Sequence, residues 1–195
     1  MVDDHPFTSR LVKDTLYAGG AQSVHAAQDG GEAVAMLRGC QPHIVITDWR
    51  MPGLDGLDFT RLVRQAALTP DPRIPDPQVP IVLLSAHTSA RTVETARRAG
   101  VSEVVVKPFT IATLMQRIQA AMTAPRPFVV STAYVGPDRR RRKGASGDAV
   151  RVRRITDRPL AEIPAPEGDS VLKLLQAGID ELGRPRRVPR QGDAQ

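Results

Sequence analysis

The first 124 residues predict an α/β fold, a doubly wound parallel sheet with helices on both faces. Two observations lead to this prediction. Short apolar runs of strand length alternate with segments of helical periodicity. One run, residues 44–47, ends in Asp48 and breaks at once into a segment containing Pro and Gly. Such a break places Asp48 at the carboxyl end of a buried strand, where open α/β sheets expose their reactive groups.

Four strands are predicted in this alternation, at residues 23–27, 43–47, 79–84 and 103–106. At the start of the chain, only Met1 and Val2 precede Asp3.

Five helices are predicted from the residues at their ends. The predicted helices span residues 8–18, 31–38, 57–65, 90–99 and 111–122. Glycines follow the first, second and fourth helices, Asp55 and Gly56 precede the third, and Thr110 can cap the fifth. Residues 69–80 contain five prolines, which exclude a helix or a central strand. This segment is therefore expected to be a stiff loop without chemistry of its own.

Composition and charge divide the chain in two. With 195 residues, 41% of them hydrophobic, it can hold one globular domain and an appendage. Residues 1–124 carry 12 basic and 12 acidic side chains, and residues 125–195 carry 15 and 9, so the net charge of +6 lies in the tail. Such a tail either meets an anionic partner or is a soluble tether. A single cysteine excludes a disulfide framework, and no run reaches the roughly 18 apolar residues of a membrane span, so a cytoplasmic protein is expected.

The residues that carry chemistry all follow predicted strands. Asp3 and Asp4 follow Val2 at the start of the chain, two residues separate Asp48 from Met-Pro-Gly-Leu-Asp-Gly, Ser85 follows Leu-Leu, and Lys107 precedes Pro108. The carboxyl ends of parallel strands share one edge, which brings these groups together. Their order and spacing resemble the receiver domain of two-component response regulators.

The resemblance implies a flavodoxin-like, five-stranded receiver. Receivers have a complete first strand before the acidic pair, in the middle of the sheet, whereas only Met1 and Val2 precede Asp3 here. We interpret this as a true start that lies upstream of Met1. The alternative is a gap between the second and third strands, with unpaired backbone groups along it.

The resemblance also implies that Asp48 is phosphorylated. Phosphoryl transfer to a carboxylate requires a nucleophile, a divalent cation and donors for the phosphoryl oxygens. Asp48 supplies the nucleophile, and Lys107 and Ser85 supply the donors. The Mg²⁺ ligands implied are Asp3, Asp4, Asp48 and the backbone carbonyl of Arg50. The family also implies a cis peptide bond before Pro108. Apart from its own phosphorylation and slow dephosphorylation, such a protein is not an enzyme.

Two positions bear on signal output. Many receivers have an aromatic residue three positions before the lysine, and this chain has Val104 there. Valine has no ring to turn inward and one favoured rotamer, so the usual aromatic switch is expected to be absent. His87, two positions after Ser85, is expected to face solvent at the rim of the site, with a response to phosphorylation as the alternative.

The tail contains a second motif, Tyr-Val-Gly-Pro-Asp followed by four arginines and a lysine. The arginine guanidinium group binds phosphate through two hydrogen bonds and stacks on flat bases. The tail has 13 arginines and 2 lysines. The motif resembles the Cle proteins, single receivers whose arginine-rich extension binds cyclic di-GMP and which then engage the flagellar motor switch. The residues implied in that binding are Tyr134, Asp138, Arg139, Arg140, Arg141 and Arg142, with Arg151, Arg153 and Arg154 as later members.

The expected organisation is a receiver at residues 1–124 and a mostly disordered, arginine-rich tail at residues 125–195. A short amphipathic helix is predicted at residues 170–182, between a capping Asp169 and Gly183. It is too short to be stable alone, so it either packs on the receiver or binds a partner.

The expected function is that of a response regulator that receives a phosphoryl group from a histidine kinase or a phosphotransfer protein. It would signal through protein contacts, with cyclic di-GMP on the tail as a second input. One alternative is a nucleic-acid-binding regulator, disfavoured because the tail shows no paired helices and no strand platform. Another is a phosphate sink in a phosphorelay, for which the tail would be dispensable. No membrane partner is expected.

Overall fold

The fold was examined in a computed structural model, which describes residues 1–87 and 89–139. Five helices alternate with three strands, and a two-stranded hairpin follows the last helix. The helices are α1 (Pro6–Ala18), α2 (Gly30–Cys40), α3 (Gly56–Gln65), α4 (Ala90–Ala99) and α5 (Ile111–Thr123). The strands are β1 (Val45–Asp48), β2 (Ile81–Ser85), β3 (Glu103–Val106), β4 (Phe128–Ser131) and β5 (Tyr134–Pro137).

The main sheet is parallel, with the order β1-β2-β3. A single residue, Val2, extends it beyond β1 because Val2 forms parallel bridges with both Thr47 and Ala27. The Val2 amide donates to the Ile46 carbonyl oxygen at 2.8 Å, and the Asp48 amide donates to the Val2 carbonyl oxygen at 2.8 Å. Val2 therefore lies where a central strand belongs, between Ala27 and β1.

The predicted five-stranded sheet is only partly formed in the described residues. Three strands have full ladders, and the other two are reduced to the bridges of Val2 and Ala27. The strand expected at residues 23–27 pairs at Ala27 alone. The physical reason is that, among the described residues, only residues 1–3 lie beside the segment 23–27. Their backbone groups can pair with about one residue of that segment, so Ala27 alone forms a bridge.

Helices cover both faces of the sheet, because the side chains of β2 point alternately to its two faces and are buried on each. Val82 and Leu84 point to the side where α1 and α5 pack, and Val12, Leu114 and Ile118 are buried there. Ile81 and Leu83 point to the other side, against α2, α3 and α4. Because both faces are buried, β2 can be apolar along its length, and its five residues are all buried. The predicted doubly wound α/β fold is thus confirmed.

The helix ends follow the predicted signals with small shifts. Thr110 caps α5, as expected, because its side chain accepts from the Thr113 amide. Pro6 begins α1 two residues earlier than predicted, since proline fits the first helical turn. The second helix runs through the expected stop at Gly39 to Cys40, and Gln41 ends it in a left-handed conformation at φ 40°. No helix in the described part of the chain is both long and apolar enough to cross a bilayer.

The hairpin of β4 and β5 departs from the expected organisation. Its residues fall in the segment 125–195 that was expected to be mostly disordered, yet the two strands pair antiparallel from Phe128↔Pro137 to Ser131↔Tyr134. β5 packs on α3 and α4. Folded structure therefore continues past residue 124, to the end of β5. Arg140, Arg141, Arg142, Arg151, Arg153, Arg154 and the helix predicted at 170–182 lie outside the described residues.

Candidate functional site

Four of the predicted site residues meet at the carboxyl edge of the parallel sheet. Asp48 ends β1 and Ser85 ends β2. Lys107 follows β3, and its amide donates to the Ser85 carbonyl oxygen at 2.7 Å. Asp3 follows the Val2 bridge, and its amide donates to the Ala27 carbonyl oxygen at 3.0 Å. Parallel pairing therefore aligns the ends of these segments.

The ammonium group of Lys107 joins the two carboxylates. Its Nζ lies 2.6 Å from Asp48 Oδ1 and 3.5 Å from Asp3 Oδ2. The Lys107 side chain is 27% exposed and the Asp48 side chain 13% exposed, so water reaches the pair from one side. The geometry gives one carboxylate with an immediate cationic neighbour and access to solvent, which suits a reacting group that exchanges partners.

Asp3 is the buried member of the cluster. The residue is 3% exposed, and Oδ1 accepts from the His5 amide at 2.8 Å. Burial raises the pKa of Asp3, and the neighbouring charge of Asp48 acts in the same direction, whereas the His5 amide and Lys107 oppose the rise. Oδ2 is buried and accepts no hydrogen bond from the described residues. Asp3 Oδ2 is therefore a buried carboxylate oxygen that could act as a hard ligand at the site.

Asp48 is positioned by the turn that follows it. Its Oδ2 accepts from the Arg50 amide at 3.2 Å, and the Trp49 carbonyl oxygen accepts from the Gly56 amide at 3.0 Å. A Cβ at Gly56 would collide with the Asp48 carbonyl oxygen and crowd the Thr47 hydroxyl. The Asp-Gly pair at 55–56 thus has two tasks, since Asp55 caps α3 and Gly56 lets the helix start against the end of β1.

The Ser85 hydroxyl already has a local partner. Ser85 is 1% exposed, and its Oγ accepts from the His87 amide and donates to the His87 carbonyl oxygen, each at 3.1 Å. His87 itself is exposed, as expected, and its backbone is what meets Ser85. The cis bond between Lys107 and Pro108 is present, which confirms that expectation. Val104 lies partly buried against a cluster that contains Leu83.

The described residues do not preform a metal cage. No set of three His, Cys, Asp or Glu side chains in residues 1–87 and 89–139 is close enough to hold an ion. Asp3 and Asp48 share Lys107, whereas Asp4 is exposed. The sequence predicts a cation site formed by four ligands at this edge. In the structure, the Lys107 ammonium group is the cation that contacts Asp3 and Asp48.

The predicted tail residues that the structure describes lie together at the end of the hairpin. The Arg139 guanidinium carbon lies 4.6 Å from the centre of the Tyr134 ring. Burial raises the pKa of Tyr134, while Arg126, Arg64 and Arg139 oppose the rise. The sequence arguments missed Arg126 and Arg64, because neither stands in a motif. The two short apolar runs separated by Ser-Thr-Ala would have predicted the hairpin that brings them together.

Comparison with known proteins agrees with this geometry. The model of the family described as "Response regulator receiver domain" matches residues 1–119. The chain belongs to the response regulator receiver family. Two curated receiver relatives are the chemotaxis proteins CheY-3 of Vibrio cholerae and CheY of Pseudomonas aeruginosa. CheY-3 is 33% identical over 118 residues, covering 60% of this chain and 85% of the relative. CheY is 34% identical over 119 residues, covering 61% and 90%.

Solved structures match the same part of this receiver. Vibrio cholerae CheY4 superposes with a TM-score of 0.52 at 30% identity, covering 60% of this chain and 92% of that one. The receiver domain of the Pseudomonas aeruginosa sensor histidine kinase PA1611 gives 0.53 at 28% identity, covering 63% and 94%. That structure contains a magnesium ion coordinated in its active site cleft. The fold is therefore the flavodoxin-like receiver fold of two-component response regulators.

Proposed function

We propose that this receiver accepts a phosphoryl group on Asp48 from a histidine kinase or a phosphotransfer protein. The observation that supports this proposal is the 2.6 Å contact between Lys107 Nζ and Asp48 Oδ1 at the carboxyl edge of the sheet. A structural ion pair would have no need of two further polar groups at the same edge. Here, a buried Asp3 and a buried Ser85 hydroxyl end the adjacent segments.

The transfer is a displacement at phosphorus. An oxygen of the Asp48 carboxylate attacks, the P–N bond of the donor phosphohistidine breaks, and a P–O bond to Asp48 forms. Lys107 moves from the carboxylate to the incoming phosphoryl oxygens, so the negative charge keeps a cationic neighbour throughout. Water later attacks the acyl phosphate, which releases inorganic phosphate and restores the carboxylate. The receiver thus catalyses its own phosphorylation and dephosphorylation and is otherwise no enzyme.

The residues present fit a magnesium ion at this edge. Asp3 has a buried oxygen without a hydrogen bond, and Asp48 and the Arg50 carbonyl group add oxygen donors. Mg²⁺ prefers such hard oxygens and keeps several waters, so the exposed Asp4 would act through a bound water. When bound, the ion supplies charge neutralisation to the transferred group. The PA1611 receiver, which holds magnesium in its cleft, provides the parallel.

Ser85 would report the modification to the rest of the fold. Its hydroxyl bonds the His87 backbone in the unmodified protein. After phosphorylation, it would leave that partner and donate to a phosphoryl oxygen, which pulls the segment between β2 and α4 toward the site. Val104 cannot supply an inward-turning ring, so the output passes through this segment. We include a flagellar motor switch among the proposed partners, since the curated relatives are chemotaxis proteins. A cytoplasmic location is part of the same proposal.

The proposed acceptor is tested by intact-mass measurement after incubation with Mg²⁺ and a small phosphodonor such as acetyl phosphate. The wild-type chain should gain one phosphoryl group, and Asp48→Asn should gain none. Asp58→Asn is the matched control because Asp58 is an exposed carboxylate on α3. Equal phosphorylation of the Asp48→Asn chain would overturn the assignment.

A second input at the tail is part of the proposal. Cyclic di-GMP carries two phosphates and two flat guanines, and arginines can hold the former and cover the latter. The observation that favours this ligand is the Arg139 guanidinium group stacked at 4.6 Å over Tyr134, immediately before the remaining arginines of the motif. Such a stack presents a flat cationic surface, with Asp138 next to it as an acceptor for a guanine edge.

Calorimetric titration of cyclic di-GMP into the full chain tests this input, with a variant in which Ala replaces Arg139, Arg140, Arg141 and Arg142. Saturable binding that the variant loses supports a nucleotide-sensing receiver. Binding to DNA of any sequence that falls steeply with salt would instead favour the nucleic-acid alternative. Full relay activity after deletion of residues 125–195 would favour the phosphate sink.

A further inference from the structure

The hairpin is docked on the receiver by direct backbone contact. Gly136, at φ 148°, approaches Gly100 so closely that a Cβ added to Gly136 would lie 2.8 Å from the Gly100 Cα. The Tyr134 hydroxyl lies 2.6 Å from the Pro137 carbonyl oxygen and 3.2 Å from that of Arg97, at the end of α4. This close approach leaves little freedom for β5 to move on the surface of α4.

The Arg126 guanidinium group links the end of the hairpin to the loop before β3 by hydrogen bonds. Arg126 Nη2 donates to the carbonyl oxygens of Val101 at 3.0 Å and Ser102 at 2.7 Å, in the loop before β3. Its Nη1 donates to the Asp138 carbonyl oxygen at 2.7 Å. The Asp138 amide in turn donates to the Pro127 carbonyl oxygen at 2.7 Å. Arg126 thus binds the receiver and the hairpin end at the same time.

The position of this contact along the chain gives it a consequence for ligand binding. Asp138 is the residue directly before the arginine run, so Arg126 holds the backbone from which Arg139 and the following arginines extend. We propose that Arg126 is a positioning residue for Arg139, the first residue of the anion-binding arginine run, which the docked hairpin holds over the Tyr134 ring. The inference rests on the proposed binding of cyclic di-GMP by the tail.

The energetic reason is preorganisation. A run of arginines on a free tether would lose backbone and side-chain entropy when it wraps a small nucleotide. Arg139 lies over the Tyr134 ring and directly follows Asp138, whose backbone Arg126 holds, so it has already lost part of that entropy on folding. Loosening the hairpin should therefore weaken nucleotide binding even when every arginine of the run is retained.

Two substitutions loosen the hairpin without changing the net charge. Arg126→Lys keeps the cation but removes the planar fork that reaches three carbonyl groups. Gly136→Ala places a methyl group against Gly100 and the Tyr134 ring, at a φ that alanine rarely adopts. Arg10→Lys is the matched control, since it makes the same change at an exposed residue of α1 that pairs with Asp14.

The test is calorimetric titration of cyclic di-GMP into each full-length variant. Arg126→Lys and Gly136→Ala should each raise the Kd roughly tenfold, and Arg10→Lys should leave it unchanged. A fluorescence titration of Trp49 with beryllofluoride and Mg²⁺ on the same samples should match the wild type, which separates positioning from general damage to the fold. Unchanged nucleotide affinity in both hairpin variants would overturn the inference and leave the proposed function standing. An absence of binding to the wild-type chain would overturn the nucleotide input and the inference together.

Discussion

Lys107 Nζ lies between two carboxylates, 2.6 Å from Asp48 Oδ1 and 3.5 Å from Asp3 Oδ2. The nearer contact is to the proposed nucleophile, and the farther is to the buried carboxylate that lacks a hydrogen bond on the same oxygen. Lys107 therefore balances part of the negative charge of both carboxylates, and we expect it to contact the phosphoryl group when one is transferred.

Replacing Lys107 by Ala should impair both stability and phosphorylation. The two carboxylates would lose their shared cation, which should lower the free energy of unfolding of the metal-free protein by about 1–3 kcal/mol. Loss of a cationic donor to the transferred group should slow phosphorylation about 100-fold. Urea denaturation and the rate of phosphorylation by acetyl phosphate measure the two effects. Lys13→Ala on α1, where the Lys13 ammonium lies 5.9 Å from the Tyr17 ring, should change the phosphorylation rate little.

Asp3→Asn should stabilise the metal-free protein and abolish its response to Mg²⁺. Burial raises the pKa of Asp3, which means that its ionised form is disfavoured in the folded state. A neutral amide removes that cost, so we expect a gain on the order of 1 kcal/mol. Added Mg²⁺ should raise the melting temperature of the wild type but not of the variant, because binding to the folded state stabilises it by mass action. An equal response to Mg²⁺ in both proteins would remove Asp3 from the proposed site; Asp14→Asn, on exposed α1, is the control.

The stability of the hairpin should fall in alkali. Burial raises the pKa of Tyr134 above its ordinary value of 10.0. The folded state therefore retains the phenolic proton where the unfolded chain loses it. The contribution of Tyr134 to the free energy of unfolding is fully present below pH 10.0 and is lost as the pH rises through the folded pKa. Ultraviolet titration of Tyr17→Phe, which leaves Tyr134 as the remaining tyrosine, measures this ionisation. A titration at or below the ordinary value would contradict the buried hydroxyl.

The hairpin should stabilise the receiver. A chain that ends after Asp138 retains the Arg126 hydrogen bonds and the contacts of β5 with α3 and α4, and a chain that ends after Ala124 loses them. We expect the longer chain to be more stable by about 2–4 kcal/mol. Urea denaturation of the two chains gives the difference. Equal stability would place the end of the folded domain near residue 124, where the sequence predicts it.

Much of the parallel fold could be predicted from local signals. Asp48 follows an apolar run and precedes Pro and Gly, so its place at the end of β1 depends on short-range features only. The same holds for Lys107 after β3 and for Thr110 at the start of α5. Gly56 also had a visible signal, but the Asp-Gly pair alone could not show that a side chain there would collide with the Asp48 backbone.

The remaining features depend on contacts between distant segments. Arg126 donates to carbonyl oxygens 24 and 25 residues earlier, and no periodicity reveals such a partner. The composition of residues 125–195 predicts a mostly disordered tail, and it does not reveal that β4 and β5 pair near the start of that segment. The incomplete first strand could be recognised from sequence, but not that Val2 alone would bridge Ala27 and Thr47.

The central claim is that Asp48 is the residue that carries the phosphoryl group. The most direct test is to phosphorylate the full chain with acetyl phosphate and Mg²⁺, trap the acyl phosphate by borohydride reduction, and map the modified residue by peptide mass spectrometry. We predict a single reduced side chain, at Asp48. Trapping at another carboxylate, or phosphorylation that survives as a stable ester on a hydroxyl side chain, would contradict the account.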